Sequence, residues 1–221
     1  PPSPLISNDK QIDKKGNPYL LDEVPSITVE LKNVVIKDSH CKEFVDLLDL
    51  PRENKLKDAP VIPFGYLQAF FFPLSMAILT DERFPVSVLG SVHESNSITS
   101  FRPILKSETL SVVVKLNTNI ERSELLYETF TIVTTVYSNL EWKPVYESIG
   151  KIRVLNPSRE KLKKELNVGK RISERQTDSN AKPTIMKTDW SYPLDMGRRF
   201  ATINKDINPI HLYPWTAKLF G

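Results

Sequence analysis

A carboxylate and an imidazole lie five positions apart near the end of the chain, at Asp206 and His211. Between them, Asn208 is a favourable helix N-cap and Pro209 a favourable first helical residue, because the N–H that proline lacks would have no partner there. His211 then falls in the first turn of the helix, and Asp206 lies just outside it. Both side chains can reach one small volume and hold a water molecule between them. The spacing therefore predicts an acid–base pair.

The same residues carry a family resemblance. The pattern Asp-x-Asn-Pro-x-His at 206–211, followed by an alanine-containing helix, resembles the hydratase motif of the MaoC-like, R-specific enoyl-CoA hydratases, which have the hotdog fold. The resemblance implies that Asp206 and His211 activate water for addition to a trans-2-enoyl thioester, or run the reverse dehydration. It implies that Asn208 orients the motif. It implies no metal and no redox cofactor, since coenzyme A or phosphopantetheine arrives as part of the substrate.

The sequence departs from the family pattern in two places. Relatives commonly have Ser-Gly directly before the Asp, whereas this chain has Asn204 and Lys205, a change that affects the loop beside the site. The family usually supplies a backbone amide for the substrate oxygen from a glycine downstream of the motif helix, and the sequence given ends at Gly221. We therefore expect a fragment with a truncated C-terminal half, in preference to a half completed by another chain.

An earlier part of the chain resembles the N-terminal half of double-hotdog members of this group, in which the first half has usually lost the motif. Residues 70–80, 84–85 and 89–98 carry this likeness. The predicted fold is α+β, with a long central helix wrapped by an antiparallel sheet, in a double-hotdog architecture whose second half is incomplete. The predicted divisions are a flexible arm at 1–25, a non-catalytic hotdog half at 26–155, a linker at 156–183 and the start of the catalytic half at 184–221.

Apolar periodicity in the first half agrees with this architecture. Alternation over residues 26–36, with Ile27, Val29 and Leu31 on one face, predicts a half-buried strand. Ser39 is expected to cap a short helix that runs to residue 48. Residues 65–80 are apolar on almost every side, which predicts a buried helix that Pro73 kinks or divides.

Segments rich in Val, Ile, Thr and Tyr predict three further strands, at 110–116, 125–137 and 145–154. Polar turns are expected at 117–119 and at 138–139 between them. Near the motif, residues 198–203 are expected to form a strand that leads into it.

Composition excludes several classes of function. The 221 residues carry a net charge of +3, which is too weak and too evenly spread to indicate nucleic-acid binding. A single cysteine, Cys41, excludes an intrachain disulfide and offers no metal cluster. No stretch approaches the roughly eighteen apolar residues of a membrane span. We expect an acyl-CoA or acyl-carrier substrate, a homo-dimer or higher oligomer, and a cytoplasmic location, with mitochondrion and peroxisome left open.

The function that these residues favour is an acyl thioester hydratase or dehydratase, a lyase of fatty acid metabolism. An alternative is a non-catalytic hotdog subunit that binds acyl groups or scaffolds an active partner, which the Asn204 and Lys205 departure favours. A thioesterase of the same fold ranks third, because such proteins seldom carry the Asn-Pro-x-His element. Without the family resemblance, Asp206 and Asn208 would be read as helix caps only.

Overall fold

The computed structural model describes residues 11–12, 18–19, 25–48, 57–88, 91–122, 127–155 and 192–218. The predicted linker at 156–183 and most of the predicted arm at 1–25 lie outside these residues. Within the arm, two short strands, β1 (Gln11–Ile12) and β2 (Pro18–Tyr19), pair antiparallel. The division of the chain into two halves therefore stays a prediction.

A five-stranded antiparallel sheet forms the larger part of the described structure. Its strands follow the order β3-β5-β6-β7-β4, and every neighbouring pair is antiparallel. The strands are β3 (Thr28–Val35), β4 (Val92–Ser100), β5 (Thr109–Arg122), β6 (Tyr127–Ser138) and β7 (Pro144–Leu155). The predicted strands at 110–116 and 145–154 are confirmed, and the predicted strand at 125–137 is confirmed from residue 127 onward, since residues 125–126 lie outside the described part of the chain. The three strands form the β5-β6-β7 meander.

The predicted polar turn at 117–119 is wrong. Strand β5 continues through it to Arg122, and the pairing with β6 shifts register between Asn117 and Glu121. A register shift lets a strand absorb polar residues without ending. The second predicted turn, at 138–139, lies one residue later, because Ser138 ends β6 and residues 139–140 form the turn. The Glu141 N–H donates to the Ser138 carbonyl there at 3.3 Å.

Strand β3 has a break in its alternation that the sequence pattern does not reveal. Ile27 is buried, but Leu31, which was predicted to share its face, is 43% exposed. The pairing with β5 shifts register between Leu31 and Val34, and Asn33 adopts a left-handed backbone with φ of 57°. The bulge changes the parity of the strand, so that Val34 and Ile36 become the buried residues.

Two helices cover one face of the sheet. Helix α1 (Asp38–Leu47) begins one residue before the predicted cap Ser39. The N-cap is therefore Lys37 and not Ser39. Asp38 holds this start by pairing with Lys106 at 2.6 Å and with Lys42 at 2.8 Å. Helix α2 (Tyr66–Thr80) confirms the predicted central helix and runs unbroken through Pro73. Pro73 is exposed, and its missing N–H leaves only the Ala69 carbonyl without a helical donor.

The core lies between α2 and the inner face of the sheet. Phe84 and Phe130 meet with ring centroids 4.9 Å apart, and Phe44 meets Tyr66 edge-on at 5.6 Å. The inner face of β5 and β6 contributes a run of alternate buried side chains: Leu110, Val112, Val114, Leu116, Phe130, Ile132 and Val136. Burial at this density is the main favourable term for folding such a sheet.

Three short helices occupy residues 192–218. They are α3 (Met196–Asn204), α4 (Pro209–Leu212) and α5 (Pro214–Ala217). The strand predicted at 198–203 is therefore wrong. Phe200 and Ile203 are three positions apart, which places both on one side of a helix, and there they pack against the core. Helix α3 contacts α1 and α2.

The alanine-containing helix predicted after the motif is divided into α4 and α5. Tyr213 between them is extended, with φ of −137° and ψ of 133°. The residue before a proline is restricted away from the helical region, so Pro214 imposes this break. Among the described residues, no helix is long and apolar enough to span a membrane.

A buried carboxylate ties the loop after β4 to the turn after β6. Arg102 donates to both oxygens of Glu108 at 2.8 Å and also to Glu141. Glu108 is 3% exposed and accepts from the Ser138 hydroxyl at 2.5 Å and the Leu105 amide at 2.7 Å. The Arg102 guanidinium lowers the pKa of Glu108 to about 2, against the opposing effect of burial.

This lowered pKa predicts an acid-sensitive contribution to stability. A Glu with an unfolded pKa of about 4.3 that falls to about 2 on folding stabilises the protein above pH 4.3, by roughly 3 kcal/mol. That contribution is lost as the pH falls from about 4.3 to about 2. Glu108→Gln should be less stable than wild type at pH 7, and the difference should close over this window in urea unfolding. Glu30→Gln, which removes an exposed carboxylate, should show no such closure. A constant difference between wild type and Glu108→Gln from pH 7 to pH 2 would contradict the prediction.

Candidate active site

Helix α3 ends in a left-handed turn that leads directly into the motif. Asn204 is its last residue, and Lys205 follows with φ of 59° and ψ of 20°. The Lys205 N–H donates to the Ala201 carbonyl at 3.0 Å, which closes the last helical turn. A left-handed residue after a helix is the usual way to reverse its direction, and glycine is the usual residue there. Lys205 stands where the hydratase motif that the sequence resembles commonly has that glycine.

Three polar side chains at alternate positions hold the loop. Asn204 Oδ1 accepts from the Asp206 amide at 3.0 Å, Asp206 Oδ1 accepts from the Asn208 amide at 3.0 Å, and Asn208 Oδ1 accepts from the Ile210 amide at 3.3 Å. Each side chain thus satisfies the backbone two residues further on, as Asx turns do. The predicted N-cap at Asn208 and first helical residue at Pro209 are confirmed.

This loop brings the two predicted catalytic side chains together. Asp206 Oδ2 and His211 Nε2 are 3.8 Å apart, with side-chain exposures of 20% and 57%. The distance is too long for a direct hydrogen bond, but a water molecule about 2.8 Å from each atom fits beside the gap. Because Asp206 Oδ1 is occupied by the Asn208 amide, Oδ2 is the oxygen left for chemistry.

The pair opens into a cavity of about 380 Å³. Asn204, Asp206 and His211 form its polar side, and Met196, Gly197 and Phe200 of α3 form the rest of its lining. A mostly apolar cavity with a few converging polar groups is the usual form of a small-molecule site. Asn208 is exposed and does not line the cavity, so it acts on the loop through its cap.

Close packing of α3 against α4 fixes the position of His211. A Cβ atom on Gly197 would overlap the His211 carbonyl oxygen, well inside the van der Waals contact distance. Arg198 Nη1 donates to the Leu212 carbonyl at 3.1 Å, and its guanidinium lies 5.2 Å from the centre of the Tyr213 ring. These contacts require a residue without a side chain at position 197.

The short helices α4 and α5 are joined by one buried hydroxyl. Thr216 is 6% exposed, and its Oγ1 lies within hydrogen-bond distance of the Pro209 carbonyl and, at 2.6 Å, of the Tyr213 carbonyl. The single O–H donates to one or the other, in addition to the backbone N–H groups of Tyr213 and Thr216 that these carbonyls accept.

Sequence reasoning missed three residues that shape this site: Asn204, Gly197 and Thr216. The alternation of Asn204, Asp206 and Asn208 is a visible signal for consecutive Asx turns. A glycine inside an amphipathic segment is a visible signal for close approach. Thr216 carries no such signal. Among the described residues, no group of three or more His, Cys, Asp or Glu side chains is placed to hold a metal ion.

Comparison with known proteins gives one curated relative by sequence. No family model matches the chain. The chain is similar to 3-hydroxyacyl-thioester dehydratase X of Mycobacterium tuberculosis, with 27% identity over 203 residues, which cover 90% of this chain and 65% of the relative. The chain thus spans somewhat less than two thirds of the length of that protein.

Solved structures show the fold. The crystal structure of HtdX of Mycobacterium tuberculosis matches with a TM-score of 0.62 and 22% identity, over 88% of this chain and 68% of that one. A MaoC-like dehydratase matches with a TM-score of 0.63 and 14% identity, over 91% of this chain and 72% of that one. With the five-stranded antiparallel sheet and its central helix, these likenesses confirm the predicted α+β hotdog fold.

The contact of Gly197 with α4 predicts that Gly197→Ala separates the two helices. The added methyl forces the His211 backbone away, at a cost of about 1–3 kcal/mol in the free energy of unfolding. Gly65→Ala is a matched control, because its Cβ would meet the Phe44 ring at an ordinary 3.4 Å. Thermal unfolding of both variants of the full-length protein measures the difference. Equal stabilities of the two variants would contradict the proposed close contact.

The backbone of Lys205 predicts a small gain from Lys205→Gly. A non-glycine residue in the left-handed region costs about 1–2 kcal/mol, and the entropy of an unfolded glycine returns about 0.5–1 kcal/mol of this. We expect a net stabilisation of about 0.5 kcal/mol in urea unfolding. Asn33→Gly, at φ of 57°, should gain less because Asn tolerates this region. A clear destabilisation by Lys205→Gly would show that the lysine side chain stabilises the turn.

Proposed function

We infer that this chain is a MaoC-like hotdog protein that adds water to trans-2-enoyl thioesters or removes it from 3-hydroxyacyl thioesters. The observation that carries the proposal is the geometry of Asp206 Oδ2 and His211 Nε2, 3.8 Å apart at the edge of a cavity with an otherwise mostly apolar lining. The similar curated protein is named a 3-hydroxyacyl-thioester dehydratase, which supports this class of reaction.

The proposed hydration begins with a water molecule held between the two groups. One group takes a proton from the water as the water oxygen bonds to C3 of the enoyl chain. The C2–C3 π electrons move toward the thioester carbonyl, and the other group, protonated at the start, delivers its proton to C2. The reaction adds H and OH from water to the double bond without net oxidation or reduction. As proposed, it therefore needs no redox cofactor. Dehydration is the same sequence reversed.

The assignment of acid and base within the pair stays open, because a carboxylate and an imidazole can each take or deliver a proton. Asp206 has the more fixed geometry, since its Oδ1 is bonded to the Asn208 amide. His211 is the more exposed of the two. Negative charge develops on the thioester oxygen, and one hydrogen-bond donor to such an oxygen is worth roughly 3–4 kcal/mol in other enzymes.

The substrate carrier is proposed to be coenzyme A or the phosphopantetheine arm of a carrier protein. The apolar part of the cavity, with Met196 and Phe200, suits the first carbons of an acyl chain. A homo-dimer or higher oligomer and a cytoplasmic location stay predictions.

A second candidate function is a non-catalytic hotdog subunit that binds acyl groups or scaffolds an active partner. The observation that favours it is Lys205, a long cationic side chain where the family commonly has glycine. The two candidates differ in one measurable property, the hydration of enoyl thioesters by the full-length protein.

Hydration of crotonyl-CoA and of a longer enoyl-CoA, followed as loss of the conjugated thioester absorbance, tests the proposal. We expect activity in the full-length protein and a fall of about 10²–10⁴ in kcat for Asp206→Asn and for His211→Ala. Asp58→Asn and His93→Ala are matched controls at exposed positions that do not line the cavity, and they should keep wild-type activity.

Two results would overturn the hydratase proposal. A folded wild-type protein without activity on either substrate would favour the acyl-binding subunit. Activity that survives both Asp206→Asn and His211→Ala would place the chemistry elsewhere.

A further inference from the structure

We propose that Asn204 is a positioning residue of the site, which fixes Asp206 by accepting the hydrogen bond of its backbone N–H. This inference rests on the hydratase function proposed above and adds to it a residue outside the Asp-x-Asn-Pro-x-His pattern. Asn204 ends α3, is 7% exposed and lines the same cavity as Asp206 and His211.

The bond from the Asp206 amide to Asn204 Oδ1 is 3.0 Å long and lies in a partly buried position. An amide N–H without an acceptor in such a place costs free energy, so the loop keeps the conformation that preserves the bond. Lys205, between the two residues, is held in the left-handed region, where its backbone has few alternatives.

Asp206 is thus held at two points. Its backbone N–H is bonded to Asn204, and its carboxylate oxygen Oδ1 is bonded to the Asn208 amide. With the backbone and Oδ1 held in this way, Oδ2 lies 3.8 Å from His211 Nε2. Asn208 alone fixes the carboxylate relative to the following helix, whereas Asn204 fixes it relative to α3 and hence to the cavity wall.

A neutral acceptor suits this position. The amide of Asn204 provides the oxygen that the Asp206 N–H needs without placing a second carboxylate beside Asp206. Asn204 also anchors the loop to a helix that packs on the core through Phe200 and Ile203. Loss of the acceptor should therefore move Asp206 relative to the cavity while α3 stays in place.

The test compares Asn204→Ala, Asn204→Ser and Asn204→Asp in the full-length protein. Serine and aspartate keep an oxygen that can accept from an amide two residues on, and alanine does not. Aspartate also removes the Nδ2 donor. The matched control is Asn139→Ala, because Asn139 Oδ1 accepts from the Thr109 amide at 3.1 Å in an exposed turn that does not line the cavity.

Two readouts are taken. In Asn204→Ala, amide hydrogen exchange at Asp206 should speed up by at least about tenfold, and kcat for enoyl-CoA hydration should fall by about 10–100-fold with KM nearly unchanged. Asn204→Ser and Asn204→Asp should keep slow exchange, and Asn204→Ser should recover most of kcat. Asn139→Ala should leave both quantities at wild-type values.

The outcomes separate this proposal from the proposed function. Slow Asp206 exchange in Asn204→Ala, or wild-type kcat in that variant, would overturn the positioning role. A rise in KM with unchanged kcat would also overturn it, because the residue would then act on substrate binding. Fast exchange in Asn204→Asp would overturn it too, because the Nδ2 donor, and not the Oδ1 acceptor, would then protect the Asp206 amide. If the wild-type protein lacks hydratase activity, the exchange measurements still decide whether Asn204 fixes Asp206.

Discussion

The packing of α3 on the core of the five-stranded sheet is the contact on which the site depends. Phe200 and Ile203 bind the helix to that core, and Gly197 lets the backbone of α4 approach its other side. The cavity is lined by residues of α3 on one side and by the motif on the other. A shift of α3 would therefore change the distance between Asp206 and His211, although neither residue belongs to the helix. Hydrophobic burial in one part of the chain thus sets a polar distance in another.

Hydrogen bonds to the backbone do the finer positioning. Residues 205–208 belong to no helix or strand, and the amides of Asp206, Asn208 and Ile210 take side-chain acceptors. Asn204, Asp206 and Asn208 provide these partners in sequence. One oxygen of Asp206 serves this structural purpose and the other faces the imidazole, so a single carboxylate combines both roles.

Local features of the sequence were sufficient to predict much of this structure. Residue spacing was enough to predict the cap at Asn208 and the proximity of Asp206 and His211. Apolar periodicity was enough to predict the central helix α2. The meander was predictable because its strands are long and rich in β-branched residues. The bulge at Asn33 was not predictable, because it depends on how β3 pairs with the distant strand β5. The helical state of α3 was not predictable either, because it depends on the core against which Phe200 packs. The break at Tyr213 could have been predicted from Pro214 alone.

The Asn204 and Lys205 departure has a physical interpretation that bears on function. The MaoC-like motif that this segment resembles commonly has a serine and a glycine here, and the loop needs an acceptor at the first position and a left-handed backbone at the second. Asn204 supplies the acceptor through Oδ1, and Lys205 adopts the left-handed backbone despite its side chain. The residue types differ from the motif that the chain resembles, but both requirements of the loop are met. The departure at Lys205 therefore changes the side chain beside the site, while the backbone still places Asp206 Oδ2 3.8 Å from His211 Nε2.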